Sequence, residues 1–360
     1  MCRVVSNGIK LDLDKNLCTF NKFECKFILK KYNTYLKECL EKDKSNIKYC
    51  RLIREPFNNG YRYYVQLVID STPILKFSKG KGITGIDPGV SSIAVTTDSS
   101  CMLEDLAPNI EEHNKRIVEI QKKMERSRKE TNPNNYNSDG TIKKGSKFKK
   151  TKNYKHLNKI FKTLHRKRKC YIKQNQERLA NKIIKESNTI FYEEMDFKAL
   201  GKRSKKTEKR DTVSTVTTKS GETKKIKKFK RKKRFGKTLL NKAPSQFLTI
   251  LILKCAFYEV DIFPIDTKNF KASQYNHIFD EYRKKELNER WNILYNSDFE
   301  PILIQRDLYS SFLIKNTNEE LNHPDREKCL KSFNNFIDLH NKCIEEVLKT
   351  NHNRLSCFGF

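Results

Sequence analysis

The sequence predicts an α/β protein that begins with a β-rich region. The prediction rests on short apolar runs typical of buried strands, and on segments of helical periodicity between several of them. A chain of 360 residues has room for two or three domains. The predicted strands of the α/β part are residues 83–86, 93–95, 189–192, 260–265 and 301–305.

Residues 1–80 are predicted to be rich in strands, with one helix. The turn signal Asn58-Asn59-Gly60 lies between two apolar runs and predicts a β-hairpin of residues 49–54 and 61–70. Apolar spacing and a lysine-rich face favour a helix over residues 23–40.

Helical segments and one basic block dominate the middle of the chain. Residues 110–128 and 154–187 predict an extended helical hairpin, joined by the flexible Asn-, Gly- and Lys-rich loop 132–145. Residues 201–236 hold 16 Lys or Arg and three acids, so this block is predicted not to bury enough surface to fold alone. Two later helices are predicted at residues 239–258 and 333–348.

The charge balance indicates a polyanionic partner. Lys and Arg number 75 and Asp and Glu 43, which gives a formal charge of +32 and favours nucleic acid binding. The chain has no apolar run long enough to span a bilayer and no signal-peptide pattern at its start, so we expect neither a membrane nor a secreted protein. Eleven cysteines without a CxxC pair favour free thiols in a reducing compartment.

Asp87, Glu193 and Asp307 each lie at or just past the end of a short apolar strand. Acids at the ends of different strands can converge, and converged carboxylates repel one another unless a divalent cation neutralises them. Mg²⁺ or Mn²⁺ ions held by such acids can support phosphodiester hydrolysis. Turn formation at Asp87 and helix capping at Asp307 stay open as structural explanations. Glu194 is the weaker candidate, because it is predicted to face away from Glu193.

Three segments that contain these acids resemble, in order, the three RuvC motifs of one nuclease family. GIDPGVSSIAVT contains Asp87, IFYEEMDFKAL contains Glu193 and QRDLYSSFLI contains Asp307. The family is TnpB, the RNA-guided nucleases of bacterial insertion sequences, which are related to Fanzor proteins and type V CRISPR effectors. The predicted helical hairpin also resembles the one between the first two motifs of the family. The resemblance extends over residues 80–315.

The resemblance implies a ribonuclease H-like RuvC domain with a long helical hairpin insertion, preceded by a partial β-rich wedge domain. In that domain Asp87, Glu193 and Asp307 would be the catalytic, metal-binding acids, with Mg²⁺ or Mn²⁺ as cofactor. The implied partners are a guide RNA from the element end and a double-stranded DNA target. The implied location is the bacterial cytoplasm, with nucleoid association when DNA is bound.

Three basic blocks are predicted to hold nucleic acid by its phosphates. The aromatic residues Phe148, Tyr154 and Phe229 lie among them and are predicted to stack on bases. A merely solvated run of charges is the alternative for each block. The predicted contacts are Lys147, Lys149, Lys150 and Lys152, then Arg166, Lys167 and Arg168, then Lys227, Lys228, Lys230, Arg231, Lys232, Lys233 and Arg234.

Residues 266–300 depart from the family pattern, which has a zinc ribbon here. Asn276 and Phe279 stand where two zinc-binding cysteines are usual and no second pair follows, so we expect no structural zinc. His277 is predicted to be a surface residue. A small apolar cluster is predicted to hold this segment, formed by Tyr275, Phe279, Tyr282 and Trp291.

The start of the chain departs as well, because family members normally have a helical recognition lobe and half of the wedge barrel before the part that resembles residues 1–80. We therefore expect a compact variant or a shortened copy. The predicted domains are 1–80 (partial wedge), 81–265 (RuvC-like core with helical insertion and basic segment), 266–300 (degenerate zinc-ribbon-like insertion), 301–349 (third motif and C-terminal helix) and 350–360 (tail).

Two functions follow from these observations. The leading one is an RNA-guided, metal-dependent DNA endonuclease linked to a transposable element. The alternative is a nucleic-acid-binding remnant or RNA-bound repressor without useful catalysis, favoured by the missing lobe and cysteines. The complete set of three acids argues against the alternative.

Overall fold

The computed structural model shows a mixed α/β protein that divides into two compact units. Unit 1 is Met1–Ser78 with Glu111–Tyr171, and unit 2 is Lys79–Ile110 with Ile172–Phe360. Within the described ranges, no helix has both the length and the apolar character needed to cross a membrane. The described residues are 3–6, 8–12, 14–28, 34–35, 38, 47–57, 60–70, 74–202, 209–217, 223–229, 235–286, 288–295, 300–349 and 358–360.

Unit 1 begins with an antiparallel four-stranded sheet and a two-stranded hairpin. The predicted hairpin is confirmed, since its two strands pair from Tyr49–Val68 to Phe57–Gly60. A small core of Ile9, Leu11, Cys18 and Cys50 is buried in this part of the unit. The strands are β1 (Arg3–Ser6), β2 (Ile9–Asp12), β3 (Leu17–Phe20), β4 (Phe23–Lys26), β5 (Ile47–Phe57) and β6 (Gly60–Ile69).

The predicted helix over residues 23–40 is wrong at its start. Phe23–Lys26 forms strand β4, paired with β3. Phe23, Cys25 and Phe27 alternate with polar residues, and this period of two favours a strand over a helix. Most of residues 29–40 lie outside the described residues.

The predicted helical hairpin is confirmed as α1 (Ile110–Thr131) and α2 (Lys152–Glu186). The loop between them was predicted to be flexible, yet its ends are tied together by one side chain. The Asn132 amide donates to the Arg128 carbonyl at 2.9 Å and to the Lys149 carbonyl at 3.0 Å. Its oxygen accepts from the Lys149 N–H at 2.7 Å.

Unit 2 is built on a five-stranded mixed sheet in the order β13-β10-β7-β8-β9. An antiparallel meander is formed by β7, β8 and β9. Strand β10 then pairs with β7 in parallel, and β13 pairs with β10 in parallel. Four of the five predicted strands, residues 83–86, 93–95, 189–192 and 260–265, are confirmed in this sheet. The fifth, residues 301–305, pairs with a strand outside it, and β9 was not predicted. The strands are β7 (Gly82–Pro88), β8 (Ser92–Thr96), β9 (Cys101–Asp105), β10 (Ser187–Glu193) and β13 (Asp261–Ile265).

The basic block between β10 and β13 contains a hairpin that was not predicted, formed by β11 (Lys209–Thr217) and β12 (Thr223–Phe229). The apolar side chains of this hairpin that the structure describes, Val213 and Ile226, are exposed and add nothing to the core. Before it lies the short helix α3 (Phe197–Gly201).

The predicted helix 239–258 is two helices, α4 (Gly236–Lys242) and α5 (Pro244–Tyr258). The break at Ala243 has a φ of 46°, and Pro244 excludes the helical conformation for the residue before it. A buried ion pair fixes this point, since Lys242 Nζ lies 2.6 Å from the Asp105 carboxylate.

Residues after β13 form small pairs of strands and two further helices. Strand β16 pairs with β17 along its whole length, and the last two helices pack on the sheet of unit 2. The elements are α6 (Thr267–Phe270), β14 (Tyr275–Asn276), β15 (Glu281–Tyr282), β16 (Trp291–Tyr295), β17 (Pro301–Gln305), α7 (Arg306–Lys315) and α8 (Arg326–Lys349).

The predicted aromatic cluster of residues 266–300 is wrong as a single cluster. Tyr275 packs on Tyr282 with ring centroids 5.0 Å apart, but Phe279 is 54% exposed and contacts Tyr295. Trp291 packs instead on Phe360 of the C-terminus. The segment is therefore held in two separate places.

The prediction that His277 is a surface residue is also wrong, because its side chain is fully buried. Its Nδ1 lies 2.7 Å from the Tyr309 hydroxyl. Burial lowers the pKa of His277 to about 4, so the ring is neutral at pH 7. Asn276 and Phe279, at the two positions of the usual cysteines, make other contacts, and the expected lack of zinc stays a prediction.

Candidate acidic site

Asp87 and Glu193 lie side by side at the carboxyl ends of two neighbouring parallel strands. Tyr192 of β10 pairs with Ile86 of β7, so the next residue on each strand is an acid. The two carboxyl groups share a hydrogen bond, and both side chains are half-buried. The structure thus brings together two of the three predicted acids, while Glu194, just past the end of β10, is exposed.

Asp307 approaches the same place from a helix. Strand β17 ends at Gln305, and Asp307 lies in the first turn of α7, just past the strand as predicted. Asp307 is close enough to act electrostatically on Asp87. The third predicted acid therefore belongs to the same charged region.

Gly85 makes this approach possible. A Cβ at Gly85 would lie 2.1 Å from the Ser311 carbonyl oxygen and 2.3 Å from the Lys315 nitrogen, so only glycine permits α7 to cross β7 this closely. The Thr96 and Ser311 hydroxyls, 2.7 Å apart, add a buried contact between β8 and α7. Gly85 was not singled out from the sequence, although it lies two residues before Asp87.

Turn formation at Asp87 and helix capping at Asp307 were the two structural explanations left open by the sequence, and both receive little support. The turn after Asp87 is closed by the backbone bond from Gly89 N–H to the Ser92 carbonyl, at 2.8 Å. The N-cap of α7 is Gln305, whose side-chain oxygen accepts from the Leu308 N–H at 2.8 Å. Neither acid is needed for the local turn or cap that its position suggested.

The environment of the acids opposes their ionisation. Burial raises the pKa of Asp87 well above its usual range, and the charges of Glu193 and Asp307 raise it further, while Arg306 lowers it. Burial also raises the pKa of Glu193. Carboxylates that are forced together in this way are what a bound cation would stabilise.

Two arginines, neither predicted from the sequence, hold Asp307. Its carboxylate lies 3.3 Å from Arg306 Nη2 and 3.9 Å from Arg290 Nη1. The Arg306 guanidinium also donates to the Glu289 carbonyl at 3.1 Å. Arg306 stands next to Asp307 in the sequence, so a charged neighbour was visible there, whereas Arg290 comes near only through the pairing of β16 with β17.

The donor chemistry fits a hard divalent cation, but the arrangement is incomplete. Within the described ranges, no group of three or more His, Cys, Asp or Glu side chains is arranged to hold a metal ion. Asp87 and Glu193 contact each other, whereas Asp307 pairs with Arg306 and Arg290. Carboxylate oxygens are the ligands that Mg²⁺ and Mn²⁺ prefer, and Asp307 would have to turn from the guanidinium groups to join them.

The first two predicted basic blocks lie in unit 1, the first before α2 and at its start, the second within α2. The lysines of the first block, Lys147, Lys149, Lys150 and Lys152, are exposed and available to phosphates. Phe148, predicted to stack on bases, already packs on Tyr136 with ring centroids 6.0 Å apart.

The second block differs among its members. Lys167 is exposed, whereas Arg166 and Arg168 are half-buried. The Arg166 guanidinium lies over the Phe57 ring, 5.3 Å from its centroid, and burial lowers the pKa of Arg168. Lys167 is thus the most accessible cation of this block.

The third block is described only in part. Lys227 on β12 is exposed. The predicted residues Lys230, Arg231, Lys232, Lys233 and Arg234 lie outside the described residues, as do the side chains of Lys228 and Phe229.

Comparison with known proteins adds no assignment. No family model matches the sequence, and no curated protein matches it. The site is therefore interpreted from its own residues and geometry.

Proposed function

We propose that this protein is an RNA-guided, divalent-metal-dependent DNA endonuclease of a transposable element, with a ribonuclease H-like RuvC core. The observation that carries the proposal is the meeting of Asp87 and Glu193 at adjacent strand ends, with Asp307 in electrostatic range. The mixed sheet of unit 2 is compatible with such a core. The site of action would be DNA in the bacterial cytoplasm.

In this proposal each charged side chain has a defined role. Asp87 and Glu193 would hold Mg²⁺ or Mn²⁺ from the sheet, and Asp307 would hold it from α7. Bound cations of this kind activate a water molecule and stabilise the leaving oxygen in phosphodiester hydrolysis. Arg306 and Arg290, released from Asp307, would donate hydrogen bonds to the phosphate.

Guidance by RNA is supported by the net positive charge of the chain and by the exposure of its lysines. When guide pairing reads the target, the protein needs mainly to hold backbones by their phosphates. The formal charge of +32 and the exposed lysines of the first block meet that need. Binding to RNA and DNA should therefore weaken steeply as salt is raised.

Cleavage of a matched DNA target tests the proposal. The full chain is purified with RNA transcribed from the neighbouring element end and incubated with double-stranded DNA in Mg²⁺, Mn²⁺ or EDTA. We expect cleavage only with metal and RNA, and a loss of about 10³-fold or more in Asp87→Ala. Glu194→Gln is the matched control, because it removes an exposed charge next to Glu193. Equal cleavage by Asp87→Ala would exclude the proposed acids.

The alternative function, a nucleic-acid-binding remnant or RNA-bound repressor, is favoured by one observation. Asp307 is paired with two arginines, and the described acids include no complete set of metal ligands. RNA retained in a filter-binding assay, with no cleavage in Mg²⁺ or Mn²⁺, would support this alternative against the nuclease.

A further inference from the structure

A second candidate site lies on the sheet of unit 2, at the other end of α7. A cavity of about 620 Å³, within the size range of ligand pockets, opens beside the last residue of this helix. Helix α7 has ten residues and is about 15 Å long, so its first turn carries Asp307 and its last turn carries Lys315. Neither Asp87, Glu193 nor Asp307 lines the cavity, so a ligand there is independent of the proposed nuclease function.

The floor of this cavity, here called the Phe263 cavity, is apolar and aromatic. Phe191 and Phe263 stack with ring centroids 6.0 Å apart and an angle of 30° between their planes. Phe263 is 43% exposed and Ile83 beside it is 44% exposed. Flat apolar surface left open to water in a cavity is suited to a planar ring.

One wall offers an unused hydrogen-bonding group. Thr317 lines the cavity and is only 4% exposed. Its hydroxyl has no hydrogen-bond partner among the described residues. A buried hydroxyl without a partner is unfavourable. The hydroxyl oxygen is closed off from solvent, so it reaches the polar edge of a ligand only when the cavity wall shifts on binding.

Three lysines and three acids lie at the rim or beside it, so an anion would be held by an exposed lysine and not by a net positive charge. Lys315 Nζ lies 2.6 Å from the Asp98 carboxylate, and Lys328 Nζ lies 3.3 Å from that of Asp325. Lys331 is exposed, one turn beyond Lys328 on α8. Glu319 is the further acid on the wall. The three lysines thus face two acids of the lining, Asp98 and Glu319, and one beside it.

We propose that the Phe263 cavity binds a nucleotide. The base stacks on Phe263, the Thr317 hydroxyl pairs with its polar edge, and the phosphate lies at Lys331 and Lys328. The same chemistry comes from a free mononucleotide or from an unpaired nucleotide within a strand. The aromatic floor, the orphaned hydroxyl and the exposed Lys331 at the rim together favour this ligand over a purely apolar one.

Two probes distinguish these sources, both used with the full chain in EDTA. Titration with AMP and UMP by calorimetry reports a free nucleotide. A short single-stranded DNA with one 5-iodouracil reports a strand nucleotide, because ultraviolet light crosslinks it to aromatic residues in contact. Mass spectrometry then locates the crosslink, so binding to basic segments elsewhere does not interfere.

Three variants test the contacts. Phe263→Ala should weaken binding or reduce crosslinking about ten-fold, as expected for loss of one stacking contact. Its control is Phe257→Ala, an exposed ring on α5 outside the cavity. Lys331→Glu should weaken binding several-fold, whereas Lys342→Glu on the same helix should not. Thr317→Val should weaken binding several-fold while raising the melting temperature, which simple damage to the fold would not do.

Saturable AMP or UMP binding that is sensitive to Phe263→Ala supports the proposal with a free nucleotide as ligand. A crosslink to the peptide that contains Phe263, without mononucleotide binding, supports it with a strand as ligand. If neither probe engages the cavity, or if Phe263→Ala and Thr317→Val bind as well as the unmodified protein, the proposal is overturned.

Discussion

The two ends of α7 lie on one face of the sheet of unit 2, beside side chains of different chemistry. At its first turn, Asp307 joins Asp87 and Glu193 in a region of crowded negative charge that favours a cation. At its last turn, Lys315 borders a cavity with an apolar, aromatic floor and lysines at its rim. Both ends depend on the same close crossing at Gly85. One helix–sheet contact therefore positions two groups of side chains of different chemistry.

The substitution with the largest expected effect should disrupt the packing of α7 on the sheet, and with it the side-chain arrangement at both ends of the helix. Gly85→Ala places a Cβ against the backbone of α7, and we expect it to lower the free energy of unfolding by about 3 kcal/mol or more. Urea denaturation measures this. Gly236→Ala is the control, because nothing lies within 4 Å of a Cβ there. A fully stable Gly85→Ala protein would show that the close crossing does not control the fold.

A substitution at the edge strand β9 should lower the free energy of unfolding without affecting the side chains at either end of α7. Lys242→Met leaves the Asp105 carboxylate buried without its cation, and we expect a loss of about 3 kcal/mol. Lys182→Met breaks an exposed ion pair with Glu104, the neighbour of Asp105 on β9, and should lower the free energy of unfolding by about 0.5 kcal/mol or less. Similar losses in the two variants, by urea denaturation, would contradict this difference between buried and exposed pairs.

The metal-free protein should gain stability when one of the acids beside the first turn of α7 loses its charge. The raised pKa values of Asp87 and Glu193 mean that the folded state binds protons more tightly than the unfolded state does. The contribution of these two acids to stability in EDTA should therefore be largest below the ordinary carboxyl pKa near 4 and be lost as pH rises through their folded values. Asp87→Asn should stabilise the metal-free protein by about 1 kcal/mol at pH 7 and flatten this fall.

Thermal unfolding in EDTA from pH 4 to pH 8 measures this effect. Glu194→Gln serves as the control, since its side chain is exposed and lies outside the acid pair. A pH profile of Asp87→Asn that matches the unmodified protein would contradict the crowding of the acids.

The cavity end should give the smallest effect on stability. Thr317→Val removes a buried hydroxyl without a partner and keeps the shape of the side chain, so we expect a gain of roughly 0.5–1 kcal/mol. Thr249→Val on α5, where the hydroxyl donates to the Ser245 carbonyl, is an exposed comparison with an existing bond. A loss of stability in Thr317→Val would mean that its hydroxyl is satisfied.

The sequence predicted the strands on which the acids lie because these are short apolar runs with a polar end. It placed Asp87, Glu193 and Asp307 in one region for the same reason. Strand β9, Cys101–Asp105, was missed because only three of its residues are apolar and two acids follow them. The alternation at Phe23–Lys26 and the proline at Pro244 were visible signals that longer helical patterns obscured.

Other features depend on contacts between distant residues and have no local signal. His277 stands in a polar loop, yet it is buried because Tyr309 and Phe312 of α7 and Phe333 of α8 close over it. Arg290 reaches Asp307 because β16 pairs with β17, a register that the sequence of either strand does not state. Such pairings require the folded structure.

Direct binding of Mn²⁺ tests the central claim, that Asp87 and Glu193 hold a divalent cation. Electron paramagnetic resonance of free Mn²⁺, titrated with the full chain, measures bound metal without any knowledge of guide or target. We expect saturable binding by the unmodified protein and by Glu194→Gln, and its loss in the double variant Asp87→Asn with Glu193→Gln. Equal binding by the double variant, or no binding by the unmodified protein, would contradict the account.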